Sequence, residues 1–247
     1  MDNQGNLYIG DTDNFRVQRW VPGARNGTTV AGGNGAGSAL NQLGSGKGNV
    51  LDKNGNMYIV DRPNQRIMKW ASGSNYGVLV AGGNGDGPGL SQLNNPWSLA
   101  LDVNDNLYVV DSFNHRVIRF TPGVINGTIV AGGNECGLNS NQLCFPMGFF
   151  LSGNNLYIAD NYNNRIQKWV IGDSSGITVA GGRGQGEGMD QLNIPFDVTV
   201  APNGKLYVLD TSNARVQEFD DCSTYKFTLN ILNDTILPGR KLYDHNQ

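Results

Sequence analysis

The chain is poor in charge, in sulfur and in histidine. Only 16% of its 247 residues are charged, against about 25% in an average soluble domain. Three cysteines are too few for a disulfide scaffold, and no C-x-x-C pair is present to hold zinc. Two histidines, His115 and His245, exclude a three-histidine zinc centre. A net charge of −3 argues against a strongly basic nucleic-acid binder. No apolar run approaches the roughly 18 residues of a membrane span, so no membrane insertion is expected. Met1 is followed at once by Asp2, Asn3 and Gln4, which is not a signal-peptide pattern. Gly46-Lys47-Gly48 lacks the G-x4-G-K-[ST] frame of a phosphate loop.

Turn-forming residues are abundant instead: 35 glycines and 32 asparagines. Glycine takes positive φ freely and asparagine tolerates it, so the chain is built for many tight turns and few helices.

The organising feature is self-similarity. GNLYIGDTDNFRVQRW (5–20), GNMYIVDRPNQRIMKW (55–70), DNLYVVDSFNHRVIRF (105–120), NNLYIADNYNNRIQKW (154–169) and GKLYVLDTSNARVQEF (204–219) are near-copies, their tyrosines at 8, 58, 108, 157 and 207. TTVAGGNG, VLVAGGNG, TIVAGGNE and ITVAGGRG follow the first four. A third phrase reads QLNNP (92–96), QLCFP (142–146) and QLNIP (191–195), with QLGSG (42–46) as its degenerate copy. The periodicity is that of strands, four to a unit. An inner strand after the proline leads through an Asn-Gly hairpin to LYVVD. A five-residue turn leads on to RVIRF, and a Pro-Gly or Ser-Gly loop to TIVAGG. Four antiparallel strands every fifty residues mark a β-propeller blade. No hexapeptide period suggests a β-helix, and a sandwich gives no reason for near-copies.

The expected fold is therefore an all-β propeller of about five four-stranded antiparallel blades, near 2–43, 44–93, 94–143, 144–192 and 193–230. In this register the first unit lacks its inner strand. The tail at 231–247 is expected to supply it, since PGRKLYD (238–244) repeats the spacing of PWSLALD, while YKFTL (225–229) aligns with an outer strand. The alternative is an open arc of a six-bladed ring.

The block LYxxD-x-x-N-x-R-[VI]-x-x-[WF], with TxVAGG and the proline before the inner strand, resembles the NHL repeat. The resemblance covers residues 2–219. It implies a β-propeller that binds protein or RNA, a sensor ectodomain, or in some members a metal-dependent lyase. NHL propellers usually have six blades, so five copies depart from the pattern.

The Asp-x-x-Asn-x-Arg set recurs as Asp11/Asn14/Arg16, Asp61/Asn64/Arg66, Asp111/Asn114/Arg116, Asp160/Asn163/Arg165 and Asp210/Asn213/Arg215. Five symmetric copies are not an active site. The set is expected to form a turn, with Asp capping the backbone, Asn in the awkward conformation and Arg forked onto Asp.

Residues that differ between copies carry specificity. On the inter-blade loop face these are Phe15, Arg62, Trp97, Phe113, His115, Tyr162 and Asp197, an aromatic set of the kind that lines ligand sites. Met147 and Phe196 share the post-proline position with Trp97. The expected function is non-catalytic recognition of a protein or small ligand by a monomer, without a cofactor. Single-stranded RNA is the alternative, through Lys47, Arg62, Arg183 and His115. A second is a lyase or lactonase with a metal at Asp197. Asn26 and Asn126 head glycosylation sequons in equivalent loops, and Asn233 heads a third. Cys136 and Cys144 are expected to staple one inter-blade loop, leaving Cys222 single; together with the sequons this points to an extracellular setting.

Overall fold

The computed structural model describes residues 1–220. Blade one has three strands, β1 (Leu7–Asp11), β2 (Arg16–Trp20) and β3 (Thr28–Gly32). Blade two adds a short inner strand, β4 (Asn49–Leu51), to β5 (Met57–Asp61), β6 (Arg66–Trp70) and β7 (Gly77–Gly82). Blade three comprises β8 (Pro96–Leu101), β9 (Leu107–Asp111), β10 (Arg116–Phe120) and β11 (Thr128–Gly132). Blade four comprises β12 (Phe149–Ser152), β13 (Asn155–Asp160), β14 (Arg165–Val170) and β15 (Ile177–Gly181). Blade five has β16 (Pro195–Val200), β17 (Lys205–Asp210) and β18 (Arg215–Asp220). The expected strands at 225–229 and 238–244, with Cys222, Asn233 and His245, lie outside the described residues.

Every strand pairs antiparallel with its chain neighbour, so the blades are meanders. β4, which follows QLGSG rather than Q-L-x-x-P, is three residues long. Between the second and third strands the connection is four residues rather than five: a single 3-10 turn, such as Ser112–Asn114, then one left-handed residue.

The core lies between blades. Separate clusters of buried side chains join blade one to two, two to three, three to four and four to five. Among the described residues none joins five to one, and Leu7, Ile9, Leu209 and Val216 are exposed there. Trp70 and Trp169, at the ends of β6 and β14, are buried in the gaps. The leucine of each Q-L phrase (Leu43, Leu93, Leu143, Leu192) is completely buried and pins the inter-blade loop. The first glycine of AGG makes room for it. At Gly82 φ is +70°, and a Cβ would sit 2.3 Å from the Gln65 carbonyl oxygen and 2.9 Å from Leu93.

Candidate recognition face

The repeated polar set is consumed in joining blades. In blade three, Arg116 Nε donates to Asp111 Oδ2 at 2.7 Å, and Asn114 Nδ2 donates to the same oxygen at 2.8 Å. The remaining guanidinium nitrogens donate to the carbonyls of Pro88, Gly89 and Gln92, in the loop that enters the blade. Asp111 Oδ1 accepts from the Asn94 N–H of that loop at 2.6 Å. Blades two, four and five repeat the arrangement around Asp61, Asp160 and Asp210. Burial pushes the Asp111 and Asp160 carboxyls up, opposed by these hydrogen bonds and by the arginine charge.

Three details of the expected turn are corrected. The aspartates make no side-chain cap to their own 3-10 turns; the nearer use of Oδ1 is the incoming loop. The left-handed residue is the one after Asn (Phe15, Gln65, His115, Asn164, Ala214). The arginine fork divides between one carboxylate oxygen and loop carbonyls, since a planar guanidinium with five donors suits a carbonyl-rich pocket.

The left-handed residue has a task of its own. Gln65 Oε1 accepts the N–H of Asn95 at 2.7 Å, His115 Nδ1 that of Phe145 at 3.2 Å, and Asn164 Oδ1 that of Ile194 at 2.8 Å. Each clasps its blade to the next. His115 thus carries a structural hydrogen bond beside any role in binding. Burial pushes its pKa down, only partly countered by Asp160 and Asp111, which keeps the accepting nitrogen unprotonated near neutrality.

The non-repeated residues collect into two groups on the same loop face. In the first, Phe145 is the hub: Phe113, His115 and Tyr162 place their rings 5.4, 4.7 and 4.9 Å from it. Phe113 and Tyr162 are largely exposed. Phe145 was missed by sequence reasoning, although its position before the proline varies between copies (Asn95, Phe145, Ile194), which was the available signal. The second group centres on Trp97. Its ring meets Phe196 edge-on at 5.4 Å, joining inner strands of blades three and five across blade four. Gly148 permits this, because a Cβ there would lie 2.2 Å from Asp197 Oδ1. The Arg62 guanidinium lies 4.3 Å above Trp97, Lys47 Nζ lies 4.9 Å from the same ring, and Arg62 Nε donates to Asn95 Oδ1. Phe15 and Arg62 line one cleft between blades one and two.

Asp197 is reached by solvent, yet crowding by surrounding protein raises its pKa, opposed by the Val198 N–H that its carboxylate accepts. Among the described residues no three His, Cys, Asp or Glu side chains converge to hold a metal ion. Of the four residues considered for RNA, Arg183 pairs with Asp190 at 3.5 Å and His115 is clasped, so Lys47 and Arg62 carry the positive charge of the face.

Radial meanders of three or four strands joined by buried interfaces, with variable loops gathered on one face, define a protein of the β-propeller class. Residues 93–120 and 192–219 match the model of the NHL repeat. No curated protein sequence matches it. Among solved structures it is similar to a gluconolactonase from Xanthomonas campestris, with 16% identity, a TM-score of 0.61, and coverage of 88% of this chain and 72% of that one. A streptogramin B lyase gives 13%, 0.55, 89% and 66%. An auxiliary nutrient binding protein from Bacteroides thetaiotaomicron gives 13%, 0.59, 85% and 57%. The chain thus spans little more than half the length of the last. Identities this low speak for the fold alone.

Proposed function

We propose that this propeller is a non-catalytic recognition module that binds a protein or small ligand through its inter-blade loop face. One observation carries the reading. The polar residues that recur are spent on joining blades, while the aromatic residues that do not recur gather on one face with exposed rings. Rigid, partly exposed aromatics over a fixed scaffold are what binding hot spots use.

The test is a pull-down with the intact propeller against F113A/Y162A, which leaves the His115 clasp in place. Loss of captured partners supports the assignment, and an unchanged set removes it.

The lyase or lactonase reading draws on the likeness in fold to a streptogramin B lyase and a gluconolactonase. The donor set does not favour it: Asp197 brings a single carboxylate, without a histidine beside it among the described residues. Metal analysis of the purified protein tests it, and a stoichiometric ion would revive it. RNA binding rests on Lys47 and Arg62 alone, and steep weakening of oligonucleotide binding with salt would support it.

The Cys136–Cys144 disulfide and the exposure of Asn26 and Asn126 support an extracellular setting. Intact mass of the protein from a secreting host tests the sequons.

A further inference from the structure

The junction between blades one and two lacks the clasp that the next three junctions share. Its left-handed residue is Phe15, whose side chain has no acceptor, and its incoming loop is QLGSG rather than Q-L-x-x-P. A cleft of about 400 Å³ opens there, a volume in the range of small-ligand sites.

The lining of this cleft is unusual in three respects. Phe15 offers an aromatic surface. Ser45, only 4% exposed, keeps its hydroxyl without a hydrogen-bond partner among the described residues, and a buried polar group so placed calls for one. Lys47 and Arg62 both lie against the Trp97 indole ring, and neither forms an ion pair with a carboxylate among the described residues. Arg62 uses Nε on Asn95, and no bond from its two terminal nitrogens is seen within the described residues. Burial disfavours its charge. Two converging cations, one partly desolvated, gain most from an anion that spans both. Asp13, exposed at the edge of the cleft, opposes a highly charged ligand.

We infer that this cleft binds a small organic carboxylate, its carboxylate held between Lys47, the terminal nitrogens of Arg62 and the Ser45 hydroxyl, and its apolar body resting on Phe15. The inference rests on the recognition reading and names a ligand class for one part of that face. A monoanion with a flat body fits the two cations, the aromatic wall and the nearby Asp13 better than a phosphate dianion does.

The experiment is a calorimetric titration of the full chain with sodium benzoate at constant ionic strength. Parallel titrations use benzyl alcohol, inorganic phosphate and an oligouridylate. Saturable benzoate binding is expected, weakened about tenfold or more in both K47Q and R62Q, the effect of removing one charged hydrogen-bond partner. F15A is expected to weaken benzoate as well. Benzyl alcohol is expected not to bind, because it lacks the charge.

Melting temperatures of the variants guard against misfolding, and Lys47, being exposed, supplies the variant least able to disturb the fold. Several results would overturn the inference: no saturable benzoate binding, benzoate binding untouched by K47Q and R62Q, phosphate binding at least as tight as benzoate, or oligouridylate binding lost in the same variants without benzoate binding. The wider reading is tested separately. If F113A/Y162A loses captured partners while benzoate does not bind, the recognition face stands and this cleft assignment falls.

Discussion

Blades one and three carry the same Asp-x-x-Asn-x-Arg letters in different surroundings. Arg116 and Asp111 are 3% and 0% exposed, sealed under the loop that enters their blade, whereas Arg16 and Asp11 are 33% and 27% exposed. Arg116 has three loop carbonyls to bond. Arg16 bonds Asp11, the Gln18 amide oxygen of its own strand and, at the limit of distance, Thr29, but no loop carbonyl among the described residues. An identical motif is therefore a buried stitch in one blade and a surface ion pair in another. What a residue contributes is set by the segment that lies over it, not by its own letters.

The sharpest way to break this comparison is to remove both arginines in turn. R116A leaves the buried Asp111 carboxylate without its cation and three loop carbonyls without the arginine donor, and should cost about 3–5 kcal/mol. R16A should cost no more than about 1 kcal/mol, as exposed pairs do. Urea denaturation checks both, and equal losses would refute the distinction.

Leucine truncation should erase the contrast. Leu43 and Leu143 are both fully buried, so L43A and L143A should each cost about 2–5 kcal/mol. If L43A proves much the milder, the first junction is looser in its apolar layer too.

The disulfide belongs to the loop between blades three and four alone. C136S/C144S should cost about 2–3 kcal/mol, the range expected for so short a loop, with the other junctions unaffected. Hydrogen exchange read loop by loop would show whether the loss is local.

The smallest effect concerns His115. Its folded pKa lies below the unfolded value of about 6.5. The folded state therefore binds fewer protons, and the stability it contributes is full above that unfolded value and is lost as pH falls through the folded one. H115Q keeps an acceptor for the Phe145 N–H, as Gln65 does for Asn95. Its stability should stay flat between pH 6.5 and 5 where the natural protein declines. A parallel decline in both proteins, measured by thermal melts, would remove His115 as the cause.

Much of the fold was legible because it is written five times. Strand spans, hairpins and the radial packing follow from period and spacing, which local backbone preference decides. The destination of the polar side chains was not legible, since Asp111 reaches a backbone group seventeen residues earlier and no local pattern encodes that. The left-handed backbone fell on His115 and its equivalents, rather than on Asn, because the Asn side chain is held between Asp111 and the Gly87 carbonyl. The geometry of the candidate site was half legible. Variation between copies singled out Trp97, Phe113 and Tyr162, but the hub, Phe145, sat in a phrase read only for its proline. That Arg62 would settle on Trp97, thirty-five positions on, depends on the radial placement of blades two and three.

In the loop that leads into blade two the polar bonds run forward. Residues 37 to 44 are held by Asp61, Asn64 and Arg66 of the blade that comes after them, and the Leu40 carbonyl accepts the Gly77 N–H of that blade. The natural module of this chain therefore begins just past Gly33, with a loop already attached to the sheet it precedes. A duplication or deletion cut at that seam would carry these loop-to-blade hydrogen bonds intact, whereas one cut at the proline position would sever them. This gives lengthening or shortening of such an array of blades a preferred place to happen.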